Sequence, residues 1–250
     1  MTRFFVRPDQ IQAGSVTLDA DDAHHLRTVL QARPGDTLAV LDGSGREWPA
    51  VLSAVGKTRA EARLGEPFEP GTEPGTKITV AQALPKMAEK MEQVLQRGTE
   101  IGAASFWMFE SERSQTQLIG ERQAKRMTRL QNIVKTAAEQ AHRAVLPTVR
   151  ADGLLREVLA TAHGYDLALF AHTGDGLPTL HTALRVCQSV PQSVLVIVGP
   201  ESGFTNAEAA QARAAGAAGV SLGPRILRTE TAAMVLAAQI LFAWEQSSVR

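Results

Sequence analysis

The chain has 250 residues with 26 basic and 26 acidic side chains, so its formal net charge is zero, and 44% of its residues are hydrophobic. This composition excludes disordered and fibrous proteins and argues against a uniformly basic nucleic-acid-binding chain. The single cysteine, Cys187, excludes an intrachain disulfide framework and favours the cytoplasm, a reducing compartment. We find neither a signal peptide nor a run of roughly 18 apolar residues that would span a membrane.

The residues before position 66 are typical of a small β domain. Short β-prone segments lie at residues 15–18, 37–41, 48–52 and 59–64. One short helix is predicted near residues 21–30. Residues 66–76 then contain three prolines and two glycines, which cannot continue a helix or a central strand. We therefore predict a β-barrel or sandwich followed by a domain boundary.

After this linker the pattern changes to alternating strands and helices. Strands are predicted at residues 78–84, 104–109, 166–171, 193–198 and 219–222. Helices are predicted at residues 86–102, 121–142 and 229–246, and Thr205-Asn-Ala-Glu208 is typical of a capping box that opens another. The alternation predicts an α/β domain with a mainly parallel sheet. Because the last helix is apolar on almost every side, we expect its own domain and a partner subunit to cover it.

Charge is distributed unevenly along the chain. Residues 1–76 carry a net charge of −3, residues 77–150 of +5 and residues 151–250 of −2. The basic middle third predicts a positive face that binds an anionic partner. A solvated helix surface is the alternative interpretation of the same charges.

Three predicted strands of the second domain end in glycine-containing loops. These loops are residues 170–176, 198–204 and 221–231. Ligands bind at the carboxyl ends of strands in such sheets, and glycine allows the backbone to approach a ligand closely. Neither G-x-G-x-x-G nor a Walker loop is present, which disfavours a dinucleotide-dependent or P-loop enzyme. For any one loop, the alternative is that its glycines only shape a turn.

Several motifs together resemble one enzyme family. They are Gly199-Pro-Glu-Ser-Gly-Phe204, Leu222-Gly-Pro-Arg-Ile-Leu-Arg-Thr-Glu-Thr-Ala232, Leu84-Pro-Lys86, Thr99-Glu-Ile-Gly102, Arg3-Phe-Phe-Val6 and the segment 24–36. In this order, and over essentially the whole chain, they are similar to the 16S rRNA (uracil-N3)-methyltransferases of the SPOUT class. Two positions depart from the family pattern. Ser202 stands where a glycine is usual, and Lys86-Met-Ala-Glu-Lys90 replaces the usual Lys-Gly-Asp-Arg.

The resemblance implies a PUA-like RNA-binding β-barrel over residues 1–72 and an α/β SPOUT methyltransferase domain over residues 73–250. It further implies a deep trefoil knot that binds the cofactor S-adenosyl-L-methionine, and a homodimer. The reaction implied is methylation of N3 of a uridine in the decoding region of 16S rRNA of the small ribosomal subunit. This would be a step of rRNA processing in ribosome biogenesis. A SPOUT-type ribose 2′-O-methyltransferase and a non-catalytic RNA-binding assembly factor are the alternatives.

Side-chain chemistry, taken with the resemblance, gives a candidate site. Arg228 is expected to stabilise negative charge on the uracil. Its guanidinium is too weak an acid to lose its proton at neutral pH, so it cannot serve as a base. Glu201 and Glu230 are candidate acceptors of the N3 proton, and either could instead orient Arg228 or bind the cofactor. Cofactor contacts are expected from Phe170, Ala171, His172, Val198, Gly199, Pro200, Glu201, Gly203, Ser221, Leu222, Gly223, Ile226, Leu227 and Arg228. RNA contacts are expected from Arg3, Arg7, His24, Arg27, Arg33, Arg113, Arg122, Arg126 and Arg143. No metal is expected, because the pair at positions 24 and 25 lacks suitably spaced further ligands.

Overall fold

The structure, a computed structural model, describes residues 1–116, 123–174 and 176–244. Its chain divides into two compact units. The first unit comprises Met1–Glu73 and Ala138–Leu146, and the second comprises Pro74–Ala137 and the chain from Pro147 onward. A segment from the middle of the sequence therefore returns to the amino-terminal unit, and no pattern in the sequence indicated this return.

The first unit is built on a mixed sheet of six strands. They are β1 (Thr2–Phe5), β2 (Ile11–Gln12), β3 (Ser15–Leu18), β4 (Thr37–Leu41), β5 (Glu47–Val55) and β6 (Ala60–Leu64). Their order is β1-β4-β5-β6-β3-β2, with β1 parallel to β4 and the other pairs antiparallel. The short helix α1 (Ala20–His24) continues into a π-helical turn, His25–Val29. Alternate strand residues such as Val16 and Leu18 are buried in the core, as the period of a half-buried strand requires.

An ion pair fastens the return segment 138–146 within the first unit. Arg143 is only 4% exposed, and its Nε lies 3.2 Å from a carboxylate oxygen of Glu73. Glu73 also accepts hydrogen bonds from the backbone N–H groups of Ala144 (3.0 Å) and Val145 (3.1 Å). The expectation that Arg143 belongs to an exposed RNA-binding face is therefore wrong, because its charge is enclosed and already paired.

The second unit contains a sheet of six strands, all parallel. They are β7 (Lys77–Ala83), β8 (Ser105–Glu110), β9 (Thr148–Leu154), β10 (Leu167–Ala171), β11 (Ser193–Val198) and β12 (Ala218–Val220). Their order is β12-β10-β11-β7-β8-β9. The strand β11 has the sequence Ser-Val-Leu-Val-Ile-Val and is buried on both faces, which explains why it reads as a continuous apolar run. The predicted α/β domain with a parallel sheet is confirmed.

Helices cover both faces of this sheet. They are α2 (Ala88–Ile101), α3 (Gln123–Gln140), α4 (Leu155–Ala160), α5 (Leu180–Arg185), α6 (Asn206–Ala214) and α7 (Thr229–Trp244). The predicted capping box is confirmed, since Thr205 and Glu208 exchange side-chain and backbone hydrogen bonds of 2.8 and 3.1 Å at the start of α6. None of the described helices combines the length and the hydrophobicity that a membrane-spanning segment requires.

Helix α7 is covered on one face only. Leu236 and Ile240 are fully buried against the sheet, and α7 also packs on α2. On the other side Phe242 is 89% exposed, and Thr231 and Ala238 on the same side of the helix are exposed as well. The described chain therefore leaves an apolar face of α7 open, although the sequence predicts that this helix is covered nearly all round.

Candidate active site

The sheet order brings the three glycine-containing loops to one edge. Strands β12, β10 and β11 are neighbours and parallel, so the loops that follow them leave from the same end of the sheet. The start of the third loop also bonds to the chain just after the first loop: the N–H of Ser221 donates to the carbonyl of Pro178 (2.9 Å), and the N–H of Leu180 donates to the carbonyl of Ser221 (3.1 Å). Residues far apart in the sequence thus meet at one candidate ligand site.

The loop after β11 is a tight turn with little room for side chains. Gly203 has φ +67° and donates its N–H to the carbonyl of Pro200 at 2.9 Å. A Cβ on Gly199 would lie 3.1 Å from the ring of Phe204, which stacks on Phe170 at 4.2 Å. Because the Phe170 ring lies in the core, only its backbone can face a ligand.

Glu201 in this loop forms an ion pair. Its carboxylate lies 2.8 Å from Nζ of Lys90 and accepts the backbone N–H of Lys86 at 3.2 Å. Partial burial acts to raise the pKa of Glu201, but the hydrogen bonds and the charge of Lys90 outweigh it, so the pKa lies below its usual value. Glu201 is therefore a poor proton acceptor and a good anchor for the loop.

Arg228, Thr229 and Glu230 lie at the start of α7. Arg228 is exposed, its carbonyl accepts the N–H of Ala232 at 2.8 Å, and its guanidinium has no ion-pair partner among the described residues. Glu230 is 6% exposed, and within the same part of the chain its Oε2 lacks a hydrogen-bond partner. The start of α7 therefore combines an exposed cation at Arg228 with a buried carboxylate oxygen at Glu230 that has no partner among the described residues.

Sequence reasoning missed a buried amide at the end of β7. Gln82 is 1% exposed, and its Nε2 lies 3.1 Å from the carbonyl of Gly199 and 2.8 Å from Oγ1 of Thr229. Its Oε1 has no partner within the described ranges. The available signal was a glutamine inside the otherwise apolar run Val80–Leu84, since a polar residue in a buried strand needs hydrogen-bond partners.

Arg113 is engaged with the same loops. One Nη atom lies 2.9 Å from the carbonyl of Ser202 and 3.4 Å from that of Phe204, and the hydroxyl of Ser202 returns a bond to the Arg113 carbonyl at 3.3 Å. The serine that replaces the usual glycine therefore joins the loop after β11 to the loop after β8. Arg113 remains exposed, so an RNA contact at this position stays a prediction.

The other predicted contact residues occupy different environments. His172 is half-buried, with its ring 6.2 Å from that of Phe170, whereas Ile226 is 88% exposed and Leu227 is half-buried. Ala171, Leu222 and Gly223 are half-buried, and Val198 and Pro200 are buried. Within the described residues no group of three or more His, Cys, Asp or Glu side chains could hold a metal ion.

Predicted RNA contacts in the first unit fall into two classes. Arg3 pairs with Glu47, and Arg7 pairs with Asp9 at 3.2 Å. The second class comprises residues in or near the π-helical turn that are exposed and have no ion-pair partner in the described structure: His24, Arg27 and Arg33. In the second unit Arg126 is half-buried, and Arg122 lies outside the described residues.

The unsatisfied oxygens of Gln82 and Glu230 provide a test of ligand fit. Both flank Thr229, and a buried acceptor without a donor costs about 1–3 kcal/mol. A ligand with hydroxyl, amino or cationic groups would supply the missing donors. The site therefore fits a polar, positively charged ligand such as S-adenosylmethionine.

Two family models match the chain. The model of the RNA methyltransferase domain matches residues 72–241, and the model of the RNA methyltransferase PUA domain matches residues 18–65. Ribosomal RNA small subunit methyltransferase E of Synechocystis sp. is 37% identical over 239 residues, covering 95% of this chain and 76% of the relative. The protein of the same name in Bacillus subtilis is 30% identical over 98% of each chain.

Solved structures show the same fold. A methyltransferase from Legionella pneumophila with the bound cofactor SAM superposes with a TM-score of 0.87 and 32% identity over 97% of each chain. Ribosomal RNA small subunit methyltransferase E of Neisseria gonorrhoeae, bound to S-adenosyl methionine, gives a TM-score of 0.84 and 31% identity over 98% of each chain. The predicted PUA-like domain and SPOUT-type methyltransferase fold are confirmed.

Proposed function

Because the chain belongs to the RNA methyltransferase family that includes ribosomal RNA small subunit methyltransferase E, we propose that it methylates N3 of one uridine in the decoding region of 16S rRNA. The observation that carries this proposal is the meeting of three loops, one of them carrying the exposed Arg228, at one end of the sheet. The relatives named above are small-subunit rRNA methyltransferases, which supports the substrate class.

We assign S-adenosyl-L-methionine to the loops after β10, β11 and β12. Its sulfonium supplies an electrophilic methyl group when it is bound. In this proposal the backbone of residues 170–172, 198–203 and 221–228 folds around the cofactor, and two similar structures hold this cofactor.

Arg228 has the position and charge to stabilise the reacting base. N3 of uracil carries a proton on the Watson–Crick edge, so the target must be unpaired and turned outward before it can react. When that proton leaves, negative charge spreads to the carbonyl oxygens, and an unpaired guanidinium can donate two hydrogen bonds to them. The N3–CH3 bond then forms as the bond between methyl and sulfur breaks.

Glu230 is the better candidate to accept the N3 proton. Its Oε2 has no hydrogen-bond partner in the described chain, whereas Glu201 is bonded to Lys90 and its pKa is lowered. In this proposal Glu201 anchors the cofactor loop through Lys90. Glu230 lies in the first turn of α7 and Arg228 directly precedes that helix, so the charge-stabilising group and the proton acceptor come from one short segment.

The partners follow from the exposed surfaces. His24, Arg27 and Arg33 form the favoured RNA-binding surface of the first unit, and Arg113 adds a cation beside the cofactor loop. The open apolar face of α7, centred on Phe242, supports a homodimer. We place the reaction in the cytoplasm, where ribosomal subunits are assembled.

A single-turnover assay tests the function. Small subunits from cells that lack this gene are incubated with the protein and methyl-labelled S-adenosylmethionine, and the methylated nucleoside is identified by mass spectrometry. We expect 3-methyluridine at one position. Ribose methylation would replace the proposal with the 2′-O-methyltransferase alternative, and cofactor binding or RNA binding without any transfer would favour the assembly factor.

The residue roles are tested by Arg228→Ala, Arg228→Lys, Glu230→Gln and Glu201→Gln, with Arg225→Ala as the matched control. Arg225 is an exposed arginine of the same loop and has no proposed role. We expect Arg228→Ala and Glu230→Gln to lower the rate by about 100-fold or more while S-adenosylmethionine still binds. A near-normal rate for Arg228→Ala would remove this residue from the mechanism. Weakened cofactor binding with an unchanged saturated rate would make Glu230 a cofactor ligand instead.

A further inference from the structure

A buried glutamine joins two separate arms of the candidate active site. Gln82 at the end of β7 donates through Nε2 to the carbonyl of Gly199 at 3.1 Å and to Oγ1 of Thr229 at 2.8 Å. Thr229 Oγ1 in turn donates to the same carbonyl of Gly199. Three residues from three distant segments thus form a closed ring of hydrogen bonds, and both side chains in it are buried.

This hydrogen-bonded ring lies at the base of the groups proposed to act on the substrates. Gly199 begins the loop that carries Glu201, and Thr229 lies between Arg228 and Glu230. Among the described side chains, no other hydrogen bond joins the loop after β11 to the first turn of α7. The ring therefore holds the loop that carries Glu201 at a fixed distance from Arg228 and Glu230, the residues proposed to act on the base.

The chemistry of an amide suits this position. Nε2 also lies 3.0 Å from the carbonyl of Ala83, so it faces several acceptors, and turning the amide over would place Oε1 against those same oxygens. An ionised glutamate carries no donor and would repel them. Glutamine is thus required for its N–H groups as well as for its length.

We propose that Gln82 is a positioning residue for methyl transfer, acting through Gly199 and Thr229 to hold the methyl donor in line with the acceptor base. This inference rests on the proposed function. A displacement of about 1 Å between reacting groups can cost about 100-fold in rate. Loss of the ring should therefore reduce kcat by about 10- to 100-fold, with a much smaller change in the KM for S-adenosylmethionine.

The test compares Gln82→Met and Gln82→Glu with Thr229→Val and Thr229→Ser. Methionine keeps the length of the side chain but removes its hydrogen bonds, and serine keeps the hydroxyl that valine removes. The matched control is Thr79→Val at the other end of β7, where Oγ1 bonds Ser105 (2.7 Å) and Tyr165 (3.2 Å). Steady-state rates with unmodified small subunits, cofactor affinity by calorimetry and Tm are measured for each variant.

We expect both variants of Gln82 and Thr229→Val to lose kcat, Thr229→Ser to retain it, and Thr79→Val to lower Tm alone. The double variant Gln82→Met/Thr229→Val should be little slower than either single variant, because both break the same ring. A Gln82→Met protein with normal kcat would overturn the inference. So would a loss of kcat no larger than the fraction of protein that is unfolded or has no cofactor bound. If the wild-type protein methylates no RNA, the proposed function itself fails.

Discussion

Replacing Glu73 by glutamine should destabilise the first unit, because it leaves the buried charge of Arg143 without its counter-ion. The Arg143 side chain is 5% exposed and that of Glu73 is 25% exposed. Removing one partner of a buried ion pair costs about 3–5 kcal/mol. This cost is reduced because Glu73 is partly exposed to water and Arg143 has a further interaction besides Glu73. We therefore expect the free energy of unfolding to fall by about 2–3 kcal/mol, which lowers Tm by roughly 4–12 °C for a chain of this size.

The reverse replacement, Arg143→Met, should cost less, about 1 kcal/mol, because the remaining carboxylate is partly solvated and methionine refills most of the space. The double variant Glu73→Gln/Arg143→Met should be more stable than Glu73→Gln alone. Scanning calorimetry and urea unfolding measure all three proteins. A Glu73→Gln protein within 0.5 kcal/mol of wild type would refute the reasoning. So would an Arg143→Met protein of unchanged stability that binds RNA more weakly, which is the behaviour of a surface contact.

Three further predictions concern the second unit. Lys90→Met removes the ammonium that holds Glu201 ionised, so the acidic limb of the pH–rate profile should move to higher pH. Hydrogen bonds from the backbone and hydroxyl at the start of β11 lower the pKa of Asp166. The Asp166→Asn variant should therefore be less stable than wild type at neutral pH, and the difference should vanish in strong acid, where the wild-type carboxylate is protonated. Urea unfolding measured across pH tests this. Gly98→Ala would place a Cβ 2.6 Å from the buried ring of Phe106, and we expect Tm to fall in line with a cost of about 1–3 kcal/mol.

The sequence by itself determined the class of the second unit and the loops that form its candidate site. Apolar strands such as β11, the alternation with helices and the capping box at Thr205 and Glu208 are local patterns, and the structure reproduces them. The motif around Arg228 is equally local, because its residues are contiguous in the chain. Such features depend on spacing along one segment, which a sequence displays directly.

Only the tertiary structure decided which side chains are paired, buried or free. Arg143 lies in a basic segment and Arg228 in a loop. Arg143 is buried and paired with Glu73, whereas Arg228 has no ion-pair partner among the described residues. The ring likewise joins Gln82 to Gly199 and Thr229, each more than a hundred residues further along the chain. Hydrogen bonds need donor–acceptor distances of about 3 Å, and ion pairs weaken as the charges separate, so the role of each charged or polar group depends on neighbours that only the folded chain brings to it.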